Sequence, residues 1–167
     1  MAPAGETMDA VCNASPLITL AKAGLLDLLP RLFSRVVVPD AVAGEILAGP
    51  ADDPMKVCLD SCRWIERVRL QPPVTALSGL HLGQGESEVI EWAAAHPGAV
   101  AVLDDRAARR AAVAVGVNVL GTLGVLARAA AQTGIGVSFS DSVAAVQRAG
   151  LYLDSRVVAT LRAKLGE

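Results

Sequence analysis

Short apolar or β-branched runs recur along the chain at Ala10-Val11-Cys12, Val36-Val37-Val38, Trp64 to Val68, Ala99 to Leu103 and Val117 to Leu120, with stretches of helical periodicity between them. That alternation predicts an α/β fold with a mainly parallel sheet, its faces covered by the intervening helices. The start and stop signals place helices at Ser15 to Leu29, Asp40 to Leu47, Pro54 to Cys62, Gly85 to Ala95, Arg106 to Val115 and Thr122 to Gln132. Ser15-Pro16 supplies an N-cap with proline behind it, Pro39-Asp40 opens the second helix, and Gly24 interrupts the pattern of the first. Beyond Gly134 the strand pattern stops, and Asp141 to Ala149 and Ser155 to Leu165 read as two short helices divided by Gly150. The expected organisation is a flexible segment at 1–8, an α/β domain at 9–134 and a C-terminal helical extension of the same domain at 135–167.

Composition changes this picture little. A chain of 167 residues with 53% hydrophobic and 19% charged residues can bury one full core. No apolar stretch approaches bilayer length and Met1 to Thr7 lacks the pattern of a secretory signal, so a cytoplasmic protein is expected, without membrane association. Cys12, Cys58 and Cys62 lack the ligand spacing of a structural zinc site and are expected to be reduced thiols, while His81 and His96 stand alone and read as surface residues. A net charge of -2 and an aromatic content of 3% argue against a strongly basic binder and against stacking platforms for bases.

Candidate chemistry begins at Asp104-Asp105, directly after the run Ala99 to Leu103. Ligands of parallel sheets bind outside the carboxyl ends of the strands, where paired carboxylates can hold a hard cation. Either Asp could instead cap the following helix. Adjacent like charges still repel unless a cation, an arginine or water offsets them. Asn13 follows the first strand, Glu45 lies on the helix after the second, and Glu86 opens another helix. Glu88 is the surface alternative to Glu86, because residues two apart on a helix do not face one site. Gly83-Gln84-Gly85-Glu86 lacks the glycine spacing and the preceding strand of a dinucleotide fingerprint. Arg106, Arg109 and Arg110 follow the Asp pair at helical spacings, either as a solvated face or as phosphate ligands.

Taken in order, Asn13-Ala14-Ser15-Pro16-Leu17-Ile18, Leu20 to Leu29, Val38-Pro39-Asp40-Ala41-Val42 with Glu45, Gly83-Gln84-Gly85-Glu86-Ser87-Glu88, Leu103-Asp104-Asp105-Arg106-Ala107-Ala108-Arg109 and Gly121-Thr122-Leu123-Gly124-Val125-Leu126 resemble a prokaryotic branch of the PIN domains. The tail from Ala149-Gly150-Leu151-Tyr152 to Glu167 resembles that branch too. The resemblance implies a three-layer α/β/α sandwich and a Mg²⁺- or Mn²⁺-dependent ribonuclease related to VapC-type toxins of type II toxin–antitoxin pairs. It implies acidic positions at Glu45, Glu86 and Asp105 with Asp104 beside it, and a metal set of Asn13, Glu45, Glu86, Asp104 and Asp105. In the hydrolysis this suggests, Arg106 or Arg109 would hold phosphate, and Ser15 is a further substrate-binding candidate. Asn13 departs from the family's usual aspartate: its carbonyl oxygen can ligate a hard cation but adds no negative charge.

The function expected is therefore hydrolysis of RNA phosphodiester bonds, with RNA, an antitoxin protein and a second copy of the chain as partners. A domain that binds RNA or protein without cutting is the alternative that Asn13 raises. A nucleotide enzyme on a Rossmann-like sheet is a third reading, since a fold does not fix a function.

Overall fold

The computed structural model describes residues 8–71, 77 and 80–167, so nearly all of the segment expected at 1–8 lies outside the described residues. The elements run β1 (Asp9–Cys12), α1 (Ala14–Lys22), α2 (Leu28–Leu32), β2 (Arg35–Pro39), α3 (Asp40–Ala48), α4 (Pro54–Ser61), β3 (Ile65–Val68), α5 (Gln84–Ala95), β4 (Val100–Val102), α6 (Arg106–Ala114), β5 (Asn118–Leu120), α7 (Thr122–Ala131), α8 (Phe139–Arg148) and α9 (Ser155–Leu165). All strand pairs are parallel, in the order β3-β2-β1-β4-β5. This is the expected α/β sandwich with its helical extension.

The strand order decides where a ligand can sit. From β1 the chain steps outward to β2 and β3, then returns past β1 to place β4 and β5 on the other side. Right-handed crossovers moving in opposite directions put their helices on opposite faces, so α1 and α2 cover one face while α5 and α6 cover the other. The helices diverge between β1 and β4, and the crevice above the carboxyl ends of those two strands is the switch point of the sheet. The extension returns to the first face, where α7 packs on α2, α8 and α9.

The sheet core follows from the sequence pattern. Ala10, Val11, Cys12, Val36, Val37, Val38, Val100, Ala101 and Val102 are all buried, as expected for strands covered on both faces. Burial pushes the Cys12 thiol up to about 12, so it acts as a small apolar core residue. At the amino ends of the strands, Arg35 donates to Glu66 at 2.7 and 2.9 Å and to Asp9 at 3.2 Å, with its guanidinium 5.6 Å from the Trp92 ring centre. These contacts tie β1, β2, β3 and α5 together at the edge opposite the crevice. No helix of the described residues is long and apolar enough to cross a membrane.

The first helix differs from expectation. Instead of running to Leu29 it stops after Lys22, where Gly24 takes φ +70° and the amides of Gly24 and Leu25 reach back to the carbonyls of Ala21 and Leu20. That pair of bonds is a Schellman stop. The apolar spacing carries on because α2 restarts against the same core. Ser15 is an exposed residue within α1, and the N-cap position belongs to Asn13. His96 is half-buried and stacked on Trp92 at 3.8 Å between ring centres, a packing residue more than a free surface histidine.

Beyond the core packing of Phe139, Val143, Val146 and Val158, one polar side chain ties the extension's end to its start. Glu167 accepts from the amides of Phe139 and Ser140, both at 2.8 Å, and from the Ser138 hydroxyl at 3.2 Å, placing a carboxylate on the positive end of α8. Those amides, first Ser140 and then Phe139, hold its carboxyl below the usual range. A lowered folded-state pKa contributes stability that is complete above the unfolded value of 4.5 and is lost as pH falls through the lowered value. Thermal melts of wild type and Glu167→Ala should therefore differ at pH 7, with the difference shrinking only as pH falls below 4.5 and through the lowered folded-state value.

Candidate active site

Asn13 occupies the switch point. Its amide donates to the Val102 carbonyl at 3.1 Å, extending the β1–β4 ladder by one residue and fixing Asn13 at the carboxyl end of β1. Its side chain is 6% exposed, caps nothing on α1, and its Oδ1 is buried without a hydrogen-bond partner. An unsatisfied buried carbonyl costs about 1–3 kcal/mol, so such an atom calls for an explanation.

Asp104 stands beyond the carboxyl end of β4, on the other side of the same gap. The backbone aims it: the Leu103 amide bonds to the Leu120 carbonyl at 2.9 Å, carrying the β4–β5 ladder up to Asp104. The half-buried Asp104 carboxylate then accepts from the Thr122 amide and hydroxyl, both at 2.7 Å. Thr122 is fully buried at the start of α7, so the carboxylate is locked by two short charge-assisted bonds. Asp105 has a different task. It is the N-cap of α6, its Oδ1 accepting from the Ala108 amide at 2.9 Å while Oδ2 accepts no bond from the described residues. The two adjacent carboxylates are thus engaged by separate partners, Asp105 as the N-cap of α6 and Asp104 by the start of α7.

Glu45 meets the start of α5, the helix that carries Glu86. The Ala41 amide donates to Glu88 at 3.1 Å, and the Glu45 carboxylate lies against Gly85. Those two contacts align α3 and α5 antiparallel, with Glu45 beside the residue that precedes Glu86. A Cβ on Gly85 would stand 2.5 Å from Glu45 Oε1, so the glycine is what lets that carboxylate approach. Half-buried Glu86 accepts from the Gly83 amide at 3.0 Å through Oε2, as in a capping box. Glu88, the surface alternative, serves α3 instead. Asp40, also near this edge, is engaged by Arg67 and Arg69 at 3.7 and 3.3 Å.

Among the charged candidates for substrate, Arg106 and Arg109 are exposed on α6. Arg109 reaches over Gly121, whose Cβ position lies 3.1 Å from Arg109 Nη1 and 3.2 Å from Asp104 Oδ1. Gly121 thereby leaves room for a guanidinium and a carboxylate side by side. Ser15 is exposed in the first turn of α1, at the same edge of the sheet.

The residues fit a hard divalent cation in their chemistry. Every candidate donor is an oxygen, and one of them, Asn13 Oδ1, is buried with nothing to satisfy it. Among the described residues no group of three or more His, Cys, Asp or Glu side chains is arranged to hold a metal ion, so these oxygens border the crevice without closing on one point. Sequence reasoning missed Thr122, which reads only as a helix start, although its place right after the last strand was a usable signal.

The five parallel strands with helices on both faces make this an α/β sandwich. The family profile of the PIN domain matches residues 9–167, and the chain belongs to the PIN-domain family. PIN domains are in general nucleases and in general use divalent metals. No curated protein matches the chain.

Two substitutions test the geometry. Thr122→Val keeps shape but removes a hydroxyl donor from Asp104, and should cost about 1.5 kcal/mol in chemical denaturation, at the low end for a charged acceptor because the carboxylate is partly exposed. Gly85→Ala meets only the flexible end of Glu45 and the Val42 side chain, so it should melt near wild type while a crystal structure shows the Glu45 carboxylate displaced.

Proposed function

We propose that the protein is a metal-dependent endoribonuclease that hydrolyses RNA phosphodiester bonds, acting as the toxin of a type II toxin–antitoxin pair. The observation that carries the reading is the orphaned Oδ1 of Asn13, buried across the switch point from a carboxylate held by Thr122. Asn13, Asp104 and Asp105 would hold a Mg²⁺ or Mn²⁺ ion from the sheet side, and Glu45 and Glu86 from the helix side. Such an ion supplies Lewis acidity, offsetting charge on phosphoryl oxygens and easing loss of a proton from the attacking water.

The chain's own residues supply the rest. Thr122 orients Asp104 by donating twice to it. The free oxygens of Glu86 and Asp105 and the carboxylate of Glu45 are available to orient the attacking water and to take its proton. Arg109, beside Asp104, and Arg106, next along α6, hold the phosphate being cut, and Ser15 lies within the same edge to donate to it. The neutral Asn13 lowers the charge of the donor set by one relative to an aspartate, which weakens cation affinity and slows the reaction.

A cell can keep such an enzyme in its cytoplasm only under restraint, which is the part of an antitoxin segment laid over the crevice; the chain itself is expected to pair as a homodimer. The second reading, a domain that binds RNA or a protein without cutting, is favoured by the missing charge at Asn13.

Cleavage of a varied RNA pool with Mn²⁺ separates these readings. Asp105→Asn retains a good N-cap while losing the charge, so it should fold normally and cut more slowly by on the order of 10²-fold. Asn13→Asp should bind Mn²⁺ more tightly in calorimetry and cut faster. Wild-type activity in Asp105→Asn would reject the assigned site, and a wild type that neither cuts nor binds divalent ions at millimolar concentration would establish the non-cutting domain.

A further inference from the structure

The first five residues of α6 contain Arg106, Arg109 and Arg110, all exposed, and none has an ion-pair partner among the described residues. This arrangement works against the helix that carries it. Cations in the opening turns oppose the positive end of the helix dipole, and arginines three and four apart repel one another. Elsewhere Arg35 is paired with Glu66 and Asp9, and the close pair Arg67 and Arg69 with Asp40. An anionic ligand along this face would offset that local cost.

Along the same face Arg106, Arg110 and Val113 form an i, i+4, i+7 stripe, and Val113 is 65% exposed. Arg109, Arg110, Val113 and Ala114 line a shallow groove of about 340 Å³. The stripe starts beside Asp105 and leads away from the crevice for roughly 10 Å, at 1.5 Å per residue. An exposed apolar floor edged by an arginine suits an unpaired base, whose faces a duplex would hide.

We propose that the outer face of α6 is a track for single-stranded RNA leading away from the scissile phosphate held at Arg106 and Arg109, with Arg110 on the next backbone phosphate and an unpaired base over Val113. This rests on the nuclease reading and adds Arg110 and Val113 to it. The track extends the substrate contact beyond the bond being cut and selects strands over duplexes.

Binding without divalent ions tests the track separately from cleavage. The anisotropy of a fluorescein-labelled, unstructured single-stranded RNA is titrated in EDTA over a range of KCl concentrations with wild type, Arg106→Gln/Arg110→Gln, Val113→Asp and, as a control on α9, Arg156→Gln. Each phosphate contact on a single strand contributes about 0.7 to the slope of log K against log salt, so the double variant should be shallower by about 1.4. Its melting temperature should be unchanged or higher, because repulsion within α6 is relieved. Val113→Asp should weaken binding, Arg156→Gln should match wild type, and a duplex of the same sequence should bind less tightly than the strand. A double variant with wild-type slope and affinity would overturn the track and leave the nuclease reading standing, as would equal binding of strand and duplex. A wild type that does not bind RNA even at low salt would overturn both.

Discussion

The reversal of strand order between β1 and β4 is the constraint on which the site depends. A parallel sheet wound in one direction would have a helix over the end of each strand, and Asn13 would be one more capping residue. Because α1 and α6 leave on opposite faces, the ends of β1 and β4 open into a gap, and the hydrogen bond from the Asn13 amide to the Val102 carbonyl holds the two strand ends in register there. The same bond buries the Asn13 carboxamide with one oxygen unused. The cost of that oxygen falls on the folded state, and a cation is the partner whose chemistry suits it.

The carboxylates are handled by a different device. Two adjacent acids at a strand end would repel, and each is engaged separately: Asp104 by both donors of Thr122, Asp105 by the first turn of α6. Across the crevice, Gly85 makes room for Glu45 and the Gly83 amide holds Glu86. Each acid is therefore positioned by a contact that leaves oxygen lone pairs free. Rigid parts of the fold, the β4–β5 ladder and the α3–α5 pair, do the aiming, so the geometry of the site follows from the packing of the sheet.

Much of this was legible in the sequence, and the exceptions share a cause. Buried strands announce themselves as short apolar runs, and the carboxyl ends of those runs led directly to Asn13 and to Asp104-Asp105. The ordered motifs carried the family as well as the fold. The stop at Gly24 was misread because α2 continues the apolar spacing of α1 against the same core, which a linear pattern cannot distinguish from one helix. Thr122 escaped notice because its partner is 18 residues away, and the approach of Glu45 to Gly85 is set by two helices far apart in sequence. Spacing along the chain reveals what a helix or strand does locally; which donor meets which acid is decided by the sheet.

The central claim is that Asn13 and Asp104 face one cation site across the switch point. A crystal of the protein soaked in Mn²⁺ and measured at the manganese edge tests it most directly. The account predicts an anomalous peak within coordination distance of Asn13 Oδ1 and of an Asp104 or Asp105 oxygen, and a peak that lies elsewhere, or a crevice with none at saturating Mn²⁺, would contradict it.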